Sequence, residues 1–130
     1  MSEQDFEETR VKDLMSKVLI TVNPETTCFQ IAKMMECGFI GAVIVQENNG
    51  HVGIITDRDF AIKIAANRLS YDTPAREMMS SPLVTISQEK SVSDAAKTMN
   101  IMKIRKLAVS ENNKIVGIIT STDVINQLIK

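Results

Sequence analysis

The sequence predicts a mixed α/β (α+β) fold made of two copies of one small unit, and three observations carry that expectation. Sliding the chain by 64 residues without a gap pairs residues 11–66 with 75–130 and gives 19 identities in 56 pairs. Such a period marks a duplicated supersecondary unit that is too small to bury a core alone. Within each copy, β-rich runs and helical apolar stripes alternate in the same order. Each copy also closes on the same strand-to-helix junction, Gly53-Ile54-Ile55-Thr56-Asp57-Arg58-Asp59 and Gly117-Ile118-Ile119-Thr120-Ser121-Thr122-Asp123.

The elements follow from local chemistry. Residues 1–10 read as a polar tail, 11–68 as the first repeat, 69–74 as a linker and 75–130 as the second repeat. Val11 to Met15 predicts a short helical entrance turn, repeated from Arg76 to Met79. Leu19 to Val22 is a brief β-rich run stopped by Asn23-Pro24. Thr27-Cys28-Phe29-Gln30 has the capping-box pattern, with Ser91 to Asp94 a looser version. Ile31, Met34 and Met35 supply the helical stripe, and Gly38 is expected as the C-cap. Ala42 to Gln46 and Val52 to Thr56 flank Asn48-Asn49-Gly50, a hairpin composition. The second copy keeps Asn112-Asn113 and loses the glycine. From Asp57 the apolar positions Phe60, Ile62, Ile64 and Ala65 predict a helix to about Asn67. Each unit reads turn, strand, helix, strand, strand, helix.

Composition narrows the function. Apolar residues make up 44% and charged residues 24%, ordinary for a globular chain, while 4% aromatics and eight Met imply an aliphatic core with soft filler. The formal net charge of -1 comes from intermixed signs, which disfavours nucleic-acid binding. The acidic start lacks a signal peptide's positive and apolar regions, and apolar runs such as Phe39 to Val45 are too short to span a bilayer. The expectation is a soluble, cytoplasmic protein without a membrane partner. Cys28 and Cys37, nine residues apart on one predicted helix, face opposite sides and cannot bridge. Both read as small buried hydrophobes. His51 has no companion ligands, so no metal site is expected.

The junction is where chemistry is expected. A Thr at the N-cap stands beside unpaired N–H groups and the positive end of the helix, which favours a phosphate. A carboxylate three residues on reaches the same helix end and can accept hydrogen bonds from two neighbouring hydroxyls, as a ribose diol offers. Ile54 and Ile55 are expected to offer an apolar strand edge for a flat base. The competing reading is structural, because Ser/Thr-x-x-Asp before a helix is also an ordinary capping box. The duplication makes the junction informative.

With these pieces placed twice, residues 11–130 closely resemble the CBS (cystathionine-β-synthase) domain family in its tandem-pair, or Bateman, form. The matching segments are Val11 to Ser16, Ile40 to Val45 and Gly53 to Asp59, then Arg76 to Thr85, Ile104 to Val109 and Gly117 to Asp123. The resemblance implies two βαββα units packed by pseudo-two-fold symmetry, with clefts between them that take adenosine-containing ligands. By motif position it implies that Thr56 with Asp59 and Thr120 with Asp123 hold ribose or phosphate. Ile20 and Val84, Gly41 and Ala42, and Arg105 and Lys106 are placed to line the base or reach phosphate. Arg58 is a further candidate, weighed against a solvated surface role. The family often carries a basic residue where Arg105 and Lys106 stand, whereas the first copy has uncharged Gly41 and Ala42, so phosphate neutralisation is expected to be lopsided. The strand pattern hydrophobe-Pro-Val-Val-Asp is absent, a departure that leaves the fold unaffected.

The expected function is a regulatory module that binds AMP, ADP, ATP or S-adenosylmethionine as a regulatory ligand. It would have no further cofactor and no metal, and would act as an energy sensor through its own assembly or a partner. A homodimer and an effector protein in trans are the expected partners. The alternative is a non-binding structural or dimerisation module of the same fold. An enzyme is disfavoured, since neither Cys nor the lone His has a partner in sequence that would make an activated nucleophile; no catalytic residue is assigned.

Overall fold

The computed structural model describes residues 7–38, 40–48 and 50–129. Residues 1–6 of the expected tail, Phe39 at the start of an apolar run and Asn49 of the first hairpin lie outside this set. Helix α1 spans Val11–Leu14, β1 Thr21–Val22, α2 Cys28–Gly38, β2 Ala42–Glu47 and β3 Gly50–Thr56. Helix α3, Asp57–Asp59, continues directly into a π-helical stretch, Phe60–Ala65. The second copy follows with α4 Ala75–Met78, β4 Thr85–Ser87, α5 Val92–Met102, β5 Lys106–Glu111, β6 Lys114–Thr120 and α6 Ser121–Leu128.

The strands form two three-stranded sheets, ordered β1-β2-β3 and β4-β5-β6. In each, the first strand runs parallel to the second across a helical crossover, and the second and third form an antiparallel hairpin. Asn48 (φ 50°), Asn112 (φ 50°) and Asn113 (φ 65°) take the left-handed conformation that the hairpin turns demand. In the second copy Asn supplies the positive φ without glycine. Gly50 begins β3 instead of making the turn.

Packing divides the chain into two compact units, Ile20–Leu83 and Met1–Leu19 with Val84–Lys130. The units of packing are thus offset from the units of repetition, because the entrance helices are exchanged. Helix α1 opens the first repeat but buries Val11 completely among Ile86, Val92, Leu107, Val109 and Ile119 of the second. Helix α4 opens the second repeat but buries Ala75 and Met78 completely among Val22, Ile31, Val43 and Ile55 of the first.

Equivalent bonds hold the two exchanges. Ser16 and Ile118 exchange both backbone bonds at 2.9 and 3.0 Å, and Ser80 and Ile54 do so at 2.9 and 3.1 Å. The exposed pairs Lys12–Glu89 and Arg76–Glu25 occupy equivalent positions at 2.9 and 2.7 Å. Two glycines make the approach possible. A Cβ on Gly53 would lie 2.8 Å from the Ser80 carbonyl oxygen, and one on Gly117 2.5 Å from that of Ser16.

The capping box at α2 is as expected: Thr27 N–H donates to Gln30 Oε1 at 2.9 Å and Gln30 N–H to Thr27 Oγ1 at 3.2 Å. Two expectations need correction. Gly38 is the last helical residue and has no positive φ, so it is not a left-handed C-cap. Lys103 takes that role in the second copy, with φ 58°. Cys28 is buried, which pushes its thiol pKa up, whereas Cys37 is exposed. The last turn of α2 has left the core by that point, as it has at the exposed counterpart Ile101.

Candidate functional site

Each hairpin delivers its third strand into a helix, and the sheet register decides what surrounds that junction. Ala42 pairs with Thr56 and Lys106 with Thr120 across the antiparallel ladder. Cross-strand partners share a face with Cβ atoms about 5 Å apart, so Lys106 stands beside Thr120 where the first copy offers only a methyl group. The first N–H of each helix is tied back to the residue before the second strand. Asp57 N–H donates to Gly41 O at 3.2 Å and Ser121 N–H to Arg105 O at 2.9 Å. Thr56, Asp59, Gly41 and Ala42 therefore gather at one end of their unit, and Thr120, Asp123, Arg105 and Lys106 at the equivalent end of the other.

The remaining candidates lie near these ends in different settings. Arg58 and Arg105 are exposed and Lys106 is half-buried. Ile20 and Val84 are partly buried, and both pack against the cores of their units. The Ile20 carbonyl accepts the Ile44 N–H at 2.9 Å, which fixes Ile20 beside the start of β2. Ile54 and Ile55 do not provide the expected open edge. Ile55 is fully buried, and the outer hydrogen-bonding edge at Ile54 is filled by Ser80. The exchanged entrance segment is the physical cause.

Both carboxylates act as helix caps. Asp59 Oδ2 accepts the Thr56 N–H at 2.8 Å, and Asp123 Oδ2 accepts the Thr120 N–H at 2.9 Å. Asp123 N–H returns a bond to Thr120 Oγ1 at 3.1 Å, which completes a reciprocal box. Capping engages Oδ2 in both copies, and the copies differ in what surrounds Oδ1 of the first.

Sequence reasoning missed that difference. Asp59 is only 7% exposed. Its Oδ1 lies 3.1 Å from Lys63 Nζ and accepts from Ser80 Oγ at 3.3 Å. Lys63 Nζ also donates to the carbonyls of Met78 and Met79 at 3.0 and 3.2 Å and approaches Ser80 Oγ at 3.4 Å. One ammonium thus joins the junction carboxylate to the C-terminal end of α4. The residue equivalent to Lys63 is Gln127, and the one equivalent to Ser80 is Ser16, whose Oγ accepts the Val18 N–H at 3.3 Å. The i,i+4 spacing of Asp59 and Lys63, set against Asp123 and Gln127, was a signal visible in the repeat.

A separate open cavity of about 520 Å³ is lined by Thr21, Val22, Asn23, Thr26, Met34, Gln46 and Asn48. It sits toward the hairpin-turn end of β2, away from Ala42 and Thr56. Among the described residues there is no cluster of three His, Cys, Asp or Glu side chains suited to a metal ion. None of the described helices is long and apolar enough to cross a membrane.

Comparison with known proteins bears on the same segments. The chain is 37% identical over 118 residues to an uncharacterised protein of Methanopyrus kandleri, covering 88% of this chain and 60% of that one. It is 35% identical over 119 residues to the CBS domain-containing protein YhcV of Bacillus subtilis, covering 91% of this chain and 85% of that protein. Among solved structures, a CBS domain pair in complex with 5′-methylthioadenosine and S-adenosyl-L-methionine superposes with a TM-score of 0.82 at 28% identity, covering 92% of this chain and 95% of that one. The family model for the CBS domain matches residues 11–66 and again 75–130. Two successive matches, on the boundaries of the internal repeat and on folds of the same strand order, place the chain in the CBS domain family as a tandem pair.

Proposed function

We propose that this protein is a regulatory module that senses adenosine-containing ligands, AMP, ADP, ATP or S-adenosylmethionine, and passes the signal to its own assembly or to an effector protein in trans. The observation that supports the reading best is the second junction. There Thr120 and Asp123 stand at the start of an eight-residue helix with Lys106 paired across the strand from Thr120. A hydroxyl and N–H groups at a positive helix end suit a phosphate, the adjacent ammonium adds charge, and the carboxylate suits a ribose diol. The complex of a related CBS pair with two adenosine derivatives supports the choice of ligand class. Exposed Ile101, Met102, Ile125 and Leu128 on the helices, with Ile129 just past α6, are apolar surface of the kind a symmetric dimer covers. The proposed setting is the cytoplasm, and no catalytic step is assigned.

A second reading has its own observation. Both carboxylates cap their helices, so a purely structural or dimerisation module would use the same residues. Thermal melting with a panel of AMP, ADP, ATP and S-adenosylmethionine separates the two. A ligand at 100 times its Kd stabilises the fold by about 2.7 kcal/mol. The expected result is an upward shift with at least one of the four that is lost in Thr120→Val/Lys106→Met. No shift with any of them favours the structural module.

A further inference from the structure

We propose that Lys63 closes the first junction to ligand, so that the pair binds one ligand per chain, at the second junction, and that Gln127 is the residue that leaves the second junction open. The inference rests on reading the junctions as ligand grips. A ribose held by Asp59 would have to donate its hydroxyls to an oxygen that already faces an ammonium at 3.1 Å and a hydroxyl at 3.3 Å. The ammonium is not available to a phosphate either. Its three protons are surrounded by four oxygens within 3.4 Å: Asp59 Oδ1, the Met78 and Met79 carbonyls and Ser80 Oγ.

The second copy inverts this distribution of charge. Its basic residues are Arg105 and Lys106 at the start of β5, where the first copy has Gly41 and Ala42, and its position i+4 from the junction carboxylate is the neutral Gln127. In the first copy the half-buried Lys63 sits on the carboxylate and leaves the exposed Arg58 as the other cation of the junction, whereas in the second Lys106 stands across from the threonine. The entrance segments beside the two positions pair alike, whereas Lys63 lies in the π-helical stretch and Gln127 in a regular α-helix. Ser16 pairs with Ile118 as Ser80 pairs with Ile54, so the carbonyls of Leu14 and Met15 stand where those of Met78 and Met79 stand. The long, flexible side chain that Gln127→Lys introduces is expected to span that difference and meet the Leu14 and Met15 carbonyls and Asp123.

The test transplants the latch. Full-length wild-type protein, Gln127→Lys and Gln127→Met are titrated calorimetrically with AMP, ATP and S-adenosylmethionine. The expected result is one site per wild-type chain, affinity weakened at least about tenfold by Gln127→Lys, and near wild-type affinity in Gln127→Met, which removes the amide without adding charge. Two sites per wild-type chain, or undiminished binding by a folded Gln127→Lys, overturns the inference and leaves the grip reading standing. Equal loss in Gln127→Met overturns it as well, because the effect would then not be the charge. Absence of binding by the wild type to all three probes overturns both.

Discussion

Asp59→Ala is expected to lower folding stability by about 3 kcal/mol and Asp123→Ala by about 1 kcal/mol, although the two residues occupy the same place in the repeat. The smaller figure is the ordinary cost of losing a helix cap. The larger adds the cost of leaving Lys63 without its carboxylate, which for a well-buried pair reaches about 3–5 kcal/mol. That figure is reduced here because the Lys63 side chain is 35% exposed and water compensates part of the loss. Denaturant unfolding of the two variants measures the difference, and a cycle with Lys63→Met isolates the pair. Equal losses at Asp59 and Asp123 would show that the Lys63 contact contributes nothing.

Gly117→Ala is expected to cost at least about 2 kcal/mol, with Gly53→Ala close behind. A methyl group at Gly117 would lie 2.5 Å from the Ser16 carbonyl oxygen and 2.9 Å from Met15 Sδ. The thioether can turn away, but the carbonyl is held in a reciprocal backbone pair with Ile118. Relief therefore requires the entrance segment to lift from the strand, in the range known for overpacked cores. The φ of neither glycine is positive, so the expected loss is one of close approach. Thermal unfolding of both variants checks it, and a change under about 0.5 kcal/mol, typical of a surface site, would mean that the segment yields freely.

The same two glycines show where sequence reasoning reached and where it stopped. Apolar periodicity and turn chemistry located each strand and helix within a residue or two, because those signals are local. The exchange of α1 and α4 was not legible: the entrance turns carry nearly the same pattern in both copies, and a repeat does not say which sheet a segment covers. That exchange fills the strand edge at Ile54, so the apolar shelf expected there is absent.

The junction carboxylates were legible as residues but not in their surroundings. Capping and ligand binding call for the same letters at the same spacing, and only coordinates show which oxygen of Asp59 is occupied. The π-helical stretch after Asp59 was likewise out of reach. Phe60 to Ala65 carries an apolar pattern compatible with an ordinary α-helix, and the widened turn is a property of the backbone. Gly38 was misread because a glycine near a helix end is a common left-handed cap, whereas here the helix runs through it.

The most direct test of the ligand-grip reading is an amide NMR titration of the full chain with AMP, ATP and S-adenosylmethionine. The expected result is that at least one ligand moves the resonances of Lys106 and of Thr120 to Asp123 in a saturable way, with little change at Thr56 to Asp59. Saturable shifts confined to residues away from both junctions, or none with any ligand, would contradict it.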